Sequence, residues 1–313
     1  MLHRYIVRFS ILAVYGAVLY AFIFNILSGS YFYLGGSPVI LAMMLIGLGL
    51  GISGQFIFDW KRTATFKHVY LNTFYVVGAL CVILFFIQEE TVACIVISLP
   101  VIAVLQALRI LGIRALQQAL GDNAIMSVWL MLVPLMTVPL SQADLFPYRS
   151  ETVVSEVIID ADPMTVWNTI HDVTVTADAD LPWTITHNIL RTPTPISAET
   201  IGNKRVSRWT EGVMFEEHFT EVVAGQTLAW DFAFPQPELL HALDYSLSPT
   251  GPEVYLLSGR YDLTALPDGR TKVQLSTTYG LRTAINPYFA AWGTLLMTDM
   301  HKAILAVIEQ GIT

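Results

Sequence analysis

Apolar residues are not spread evenly through this chain. They concentrate ahead of Pro147 in five runs, at 9–27, 38–58, 69–87, 91–108 and 124–140. A helix needs about 20 apolar residues to cross the hydrocarbon core of a bilayer. Each run meets or approaches that length, so the first 147 residues read as an α-helical membrane bundle of about five transmembrane helices. Pro134 and Pro139 leave a re-entrant or surface-lying path open for the fifth run. Composition agrees: 54% of all residues are hydrophobic and only 13% charged, against about 25% charged in an average soluble domain.

The basic residues of this half set an orientation. Arg4 and Arg8 lie at the tip, Lys61, Arg62 and Lys67 between the second and third runs, and Arg109 and Arg114 between the fourth and fifth. The alternate connections carry no Lys or Arg, and one holds Glu89 and Glu90. Lys and Arg favour the cytoplasmic side. The N-terminus is therefore expected inside, the chain multi-pass in the inner (cytoplasmic) membrane, and the part after residue 147 periplasmic or otherwise extracytoplasmic. Four crossings instead of five would leave that part in the cytoplasm. Gly47, Gly51 and Gly54 put small residues on the second run, which favours close helix packing within the bundle or between copies in a homo-oligomer. Acidic, basic and His residues facing a transport path are not evident in the runs, so anchoring and packing are the expected roles.

From Tyr148 onward the charge reverses. Ten basic and twenty acidic residues follow, against seven and five before. An acidic surface of this kind argues against nucleic acid as a partner. Both cysteines, Cys81 and Cys94, precede this half, so it holds neither a disulfide framework nor a cysteine-ligated metal.

Residues 148–313 suit one domain. Alternation predicts a strand over 152–159. Asp162 and Pro163 then open a short helix with Val166, Trp167 and Ile170 on one side. An irregular stretch follows, with a short strand or helix around 183–190. Strands are predicted over 199–209, 213–222, 226–234, 254–266 and 270–281, the last two joined by the hairpin signal Pro267-Asp268-Gly269. A long helix over 287–310 closes the chain, with Phe289, Trp292, Leu296, Met300, Ala303 and Val307 at steps of three and four.

This order, with the segments VSEVIIDADPMTVWNTIHDV, GNKRVSRWTEGVMFEEHFTEVVAGQTLAWDFAF and GRYDLTALPDGRTKVQLSTTYGL, resembles the START-related SRPBCC superfamily over residues 151–310. The resemblance implies an α+β helix-grip fold, shared with polyketide cyclase-like and lipid-transfer proteins, in which a curved antiparallel sheet wraps a long C-terminal helix. It also implies a cavity for an apolar or amphipathic small molecule or lipid. The Rieske-type Cys/His cluster of the oxygenase relatives is absent, and no cofactor is called for. Fold alone does not settle function.

The stretch GVMFEEHFTE at 212–221 is the most chemical in appearance. Strand alternation divides it: Phe215, Glu217, Phe219 and Glu221 share one face, Glu216 and His218 the other. Glu216 and His218 are thus the only pair there that could act as acid and base, and the spacing calls for no metal. Expected ligand contacts are Trp209, Phe215, Trp230, Phe232, Phe234, Tyr255, Tyr261, Tyr279, Trp292 and Leu296, an aromatic lining with a few hydroxyls. The expected function is binding or carriage of a hydrophobic molecule close to the membrane. The alternatives are a membrane-anchored cyclase or hydrolase, and a sensor or assembly factor that recognises a protein.

Overall fold

The computed structural model describes residues 63–75, 92–120, 147–174, 181–236, 249–250, 254–283 and 285–312. They fall into two compact units, helical before residue 147 and mostly β after it.

In the first unit residues 66–75 are helical, and helix α1 spans Val92–Leu120 with Pro100 inside it. Gln106 Nε2 donates to the Tyr70 carbonyl (3.0 Å) and Arg114 to the carbonyl of Ala64 (3.0 Å). Among the described residues no helix is long and apolar enough to cross a membrane. Residues 92–108 of the fourth expected span form the first part of α1. Its helix runs on to Leu120 through what the sequence reads as a connecting loop. The runs at 9–27, 38–58 and 124–140, residues 76–87 of the third, and Gly47, Gly51 and Gly54 lie outside the described residues.

The second unit begins with β1 (Arg149–Ile159) and α2 (Pro163–His171). Asp162 caps α2, accepting from the backbone N–H groups of Met164 and Thr165 at 2.9 and 3.2 Å, and Pro163 occupies its first turn. A cap contributes about 1 kcal/mol, too little to hold nine residues in a helix. Burial of Val166, Trp167 and Ile170, at about 2 kcal/mol each, is what holds α2 in place. Then come β2 (Val173–Thr174), a π-helical turn at Ile185–Ile189, β3 (Pro195–Ile201), β4 (Lys204–Trp209), β5 (Met214–Val223), β6 (Thr227–Ala233), β7 (Val254–Ala265), β8 (Thr271–Leu281) and α3 (Asn286–Gln310). The single strand expected over 199–209 is two strands. Gly202, at φ 64°, turns the chain so that Ile201 faces Lys204.

All eight strands form one antiparallel sheet in the order β1-β8-β7-β6-β5-β4-β3-β2. Helix α2 packs on both β7 and β3. Those strands are four places apart, roughly 19 Å on a flat sheet, whereas nine helical residues span about 13 Å. The sheet must therefore curl around its helices, and with α3 lying against β1 and β8 the unit has the helix-grip fold.

Two apolar clusters fasten α3. Near its start Phe289, Ala290 and Met297 pack on Val153, Tyr279 and Leu281. Near its end Leu305 and Ile308 join Trp167 and Ile170 of α2 and Trp230, Tyr261 and Leu275 of the sheet. Gly293 makes the first contact close. A Cβ there would sit 2.4 Å from the Tyr279 hydroxyl, which donates to the Ala290 carbonyl at 3.1 Å.

Between the clusters lies His301, only 1% exposed. Its Nε2 is 2.8 Å from Thr277 Oγ1 and its Nδ1 3.0 Å from Ser155 Oγ. Burial pushes its pKa down from 6.5 to about 4, so the folded state favours the neutral ring. The stabilisation is complete above about pH 6.5 and is lost as pH falls toward 4, by at most ~3 kcal/mol. In urea titrations of wild type and His301→Gln, the wild-type midpoint should fall more steeply between those pH values. Parallel curves would show that the ring does not ionise on unfolding.

Candidate functional site

Strand β4 alternates Arg205, Ser207 and Trp209 onto the helix side of the sheet, and all three are buried. On β5 the same side carries Phe215, Glu217 and Phe219. Register then places Arg205 opposite Glu217, Glu217 opposite Phe232, and Phe219 opposite Trp230. The result is a charged pair at the centre of an aromatic surface.

Arg205 and Glu217 are 4% and 5% exposed. Arg205 Nε donates to Glu217 Oε2, and its NH1 donates to the Ile170 carbonyl of α2 at 2.6 Å. The guanidinium lies over the rings of Trp230 (5.2 Å) and Tyr261 (5.5 Å). Burial opposes the positive charge of Arg205, but the adjacent Glu217 carboxylate more than compensates and its pKa rises overall. For Tyr261, burial first and Glu217 second hold the phenol protonated, pushed up to about 12 despite the opposing pull of Arg205. Near neutral pH Tyr261 therefore faces the Arg205–Glu217 pair as a neutral phenol. His171, at the end of α2, is shifted down by burial and then by the Arg205 charge.

Trp230 completes the arrangement. It is 2% exposed, and its indole lies against Gly259 of β7, where a Cβ would come 2.2 Å from Cζ2. Only glycine permits that seat. The indole Nε1 is buried and has no hydrogen-bond partner among the described residues. Around it Phe215, Phe232 and Phe234 contact one another edge-on, tilted or stacked, with centroids 5.7 to 6.5 Å apart, and Trp209 lies 6.0 Å from Phe215. Phe232 and Phe234 are only half-buried.

The expected contacts divide accordingly. Trp209, Phe215, Trp230, Phe232, Phe234 and Tyr261 share this surface. Tyr279 lies on the same side of the sheet but packs beneath the start of α3, while Trp292 and Leu296 are half-buried on α3 itself. Tyr255 is misplaced by the sequence reading. It pairs with Gly280 and stacks on Tyr148 at 5.9 Å, whereas Val254 and Leu256 on either side of it point to the helix side. Alternation puts Tyr255 on the outer face.

Glu216 and His218 also occupy the outer face. Glu216 accepts from Lys204 Nζ at 2.6 Å and lies 2.7 Å from His218 Nε2, and His218 is exposed. Lys204 first and then His218 lower the Glu216 pKa. This is a solvated ion-pair chain facing away from the aromatic surface, so it supplies that surface with neither acid nor base. Among the described residues no three or more His, Cys, Asp or Glu side chains are grouped to hold a metal.

Arg205 and Glu217 escaped the sequence reading, although a signal was present. Glu217 falls in phase with Phe215 and Phe219, and Arg205 in phase with Trp209. Charges on an apolar face demand partners. What the sequence lacks is the register that brings the two together.

No protein-family model and no curated protein sequence matches the chain. Similar solved structures include an aromatase/cyclase from Streptomyces sp. R1128, at 14% identity and TM-score 0.33, covering 52% of this chain and 94% of that one. A truncated norcoclaurine synthase from Thalictrum flavum has 11% identity and TM-score 0.32, covering 52% and 94%. The Aha1 dimer from Colwellia psychrerythraea has 13% identity and TM-score 0.29, covering 51% and 98%. Likeness at this level does not transfer an activity.

Breaking a buried pair costs about 3–5 kcal/mol, because the remaining charge is stranded, while replacing both partners with apolar groups is far milder. Arg205→Met and Glu217→Gln should each lower the denaturant midpoint strongly, and the double variant Arg205→Met/Glu217→Leu should recover much of the loss. Additive losses in the double variant would show that the two side chains are not coupled.

Proposed function

We propose that the helix-grip unit binds a hydrophobic small molecule or lipid against the inner faces of β4 to β7. The observation that carries this reading is the aromatic surface around a charge-balanced Arg205–Glu217 pair, with Phe232 and Phe234 still half-buried. Ligand sites typically combine a mostly apolar lining with a few fixed polar groups, and this surface has that composition. An acid/base enzyme is less well supported, since Glu216 and His218 face outward and the Tyr261 phenol is held protonated.

In the same reading the apolar runs before residue 147 tether this unit to the bilayer that supplies its ligand. Their Lys/Arg distribution favours an extracytoplasmic position for the domain, and Gly47, Gly51 and Gly54 favour close helix contacts, in one copy or between copies. No cofactor is required for binding of this kind.

Solvent extraction of the purified full-length chain should release an apolar compound in near-stoichiometric amount. Trp209→Ala/Phe232→Ala should reduce its recovery several-fold, because each truncation removes about 1.5–3 kcal/mol of apolar contact. Recovery unaffected by these substitutions would place the compound elsewhere, in annular lipid. An alkaline phosphatase fusion after residue 150 should be active, and an inactive fusion would overturn the extracytoplasmic assignment.

A further inference from the structure

Given that binding reading, on which the inference rests, the interior also points to the ligand's head group. We infer that the site selects an apolar body ending in an uncharged hydrogen-bond acceptor, such as a carbonyl, ester or ether oxygen, received by Trp230 Nε1, and that it rejects carboxylates and phosphates.

The reasoning starts from which interior donors are already engaged. Among the described residues Arg205 is the one Lys or Arg on the helix side of β4 to β7, and its Nε and NH1 are committed to Glu217 and to the Ile170 carbonyl. Its planar face is covered by Trp230 and Tyr261. An anionic head group would have to displace Glu217, stranding a buried carboxylate, or else lie beside it with no further Lys or Arg among the described residues of this side. Both are strongly unfavourable away from water. Trp230 Nε1 is different: it is a neutral donor, buried, with no partner among the described residues. An indole N–H donates only, so what satisfies it must accept. Its position is fixed, because the ring is seated on Gly259 and cannot turn without meeting that backbone. The aromatic surface of Phe232 and Phe234 continues from the indole, with Trp230 and Phe232 in edge contact at 6.0 Å. Those rings offer the apolar body of such a ligand its contact surface.

The test uses the full-length chain and two fluorescent polyenes with the same hydrocarbon body, cis-parinaric acid and its methyl ester. Binding is followed near neutral pH as saturable energy transfer from tryptophan. The ester should bind at least about tenfold more tightly than the ionised acid, since only the acid must bury an unmatched charge. Trp230→Phe should weaken the ester by roughly three- to tenfold, the size of one neutral hydrogen bond, and leave the acid as weak as before. Acid binding as tight as ester binding overturns the inference while leaving the binding reading intact, as does an unchanged ester affinity in a folded Trp230→Phe variant. If that variant does not fold, the wild-type comparison of ester with acid decides alone. If neither probe gives saturable transfer, the binding reading fails, and the head-group inference fails with it.

Discussion

The contact between Arg205 and Glu217 ties together parts of the domain that are otherwise separate. Two neighbouring strands supply the charges, α2 supplies the Ile170 carbonyl, and β6 and β7 supply the rings above the guanidinium. Each group limits the others. The guanidinium is tolerable in an apolar interior only because Glu217 faces it, and Glu217 is tolerable only because β4 and β5 pair in this register. A slip of one residue between the two strands would put the charges on opposite faces of the sheet, with whichever remained inside left unpaired. The pair therefore specifies register as much as it stabilises it, and the bond from Arg205 to the Ile170 carbonyl ties α2 to the curled sheet.

The second constraint is close approach. Gly259 and Gly293 stand where a ring from another element comes close to the backbone, Trp230 in one case and Tyr279 in the other. Both let a large aromatic approach closer than any side chain at the glycine position would allow. They act at opposite ends of the interior: Gly293 closes the start of α3 onto the sheet, while Gly259 leaves an indole N–H oriented but unmatched. One glycine serves packing, and the other preserves a polar feature that packing alone would not explain.

Much of the fold was legible in the sequence, because local signals and burial agree there. Asp162-Pro163 opens α2, and the Asp268-Gly269 turn joins β7 to β8 as the hairpin pattern requires. The break at Gly202 carries a local signal as well, since Gly202-Asn203 is a two-residue hairpin dipeptide, and a single strand over 199–209 overlooks it. The site was less legible. Its aromatic members follow from alternation, but Tyr255 lies just ahead of the irregularity between Leu256 and Ser258, and an in-phase count of tyrosines along β7 crosses that shift unnoticed. The Arg205–Glu217 partnership depends on strand register, and the sequence contains no local mark of it. Glu216 and His218 drew notice because they are adjacent in sequence. Their chemistry is that of a solvated sheet face, where neighbouring charges pair at little cost.

The sheet order also governs when this domain can come into being. Strand β1 is the first to be made, yet its neighbour is β8, so Val154 waits for Ser276. Every intervening strand has left the ribosome before that ladder can form, and α3, which rests on β1 and β8, comes later still. Until then both edges of β1 are unpaired and open to other chains. Closing so long a loop is slow. Birth of the domain is therefore a single event that must follow synthesis of β8, and until then the nascent chain depends on shielding of its first strand.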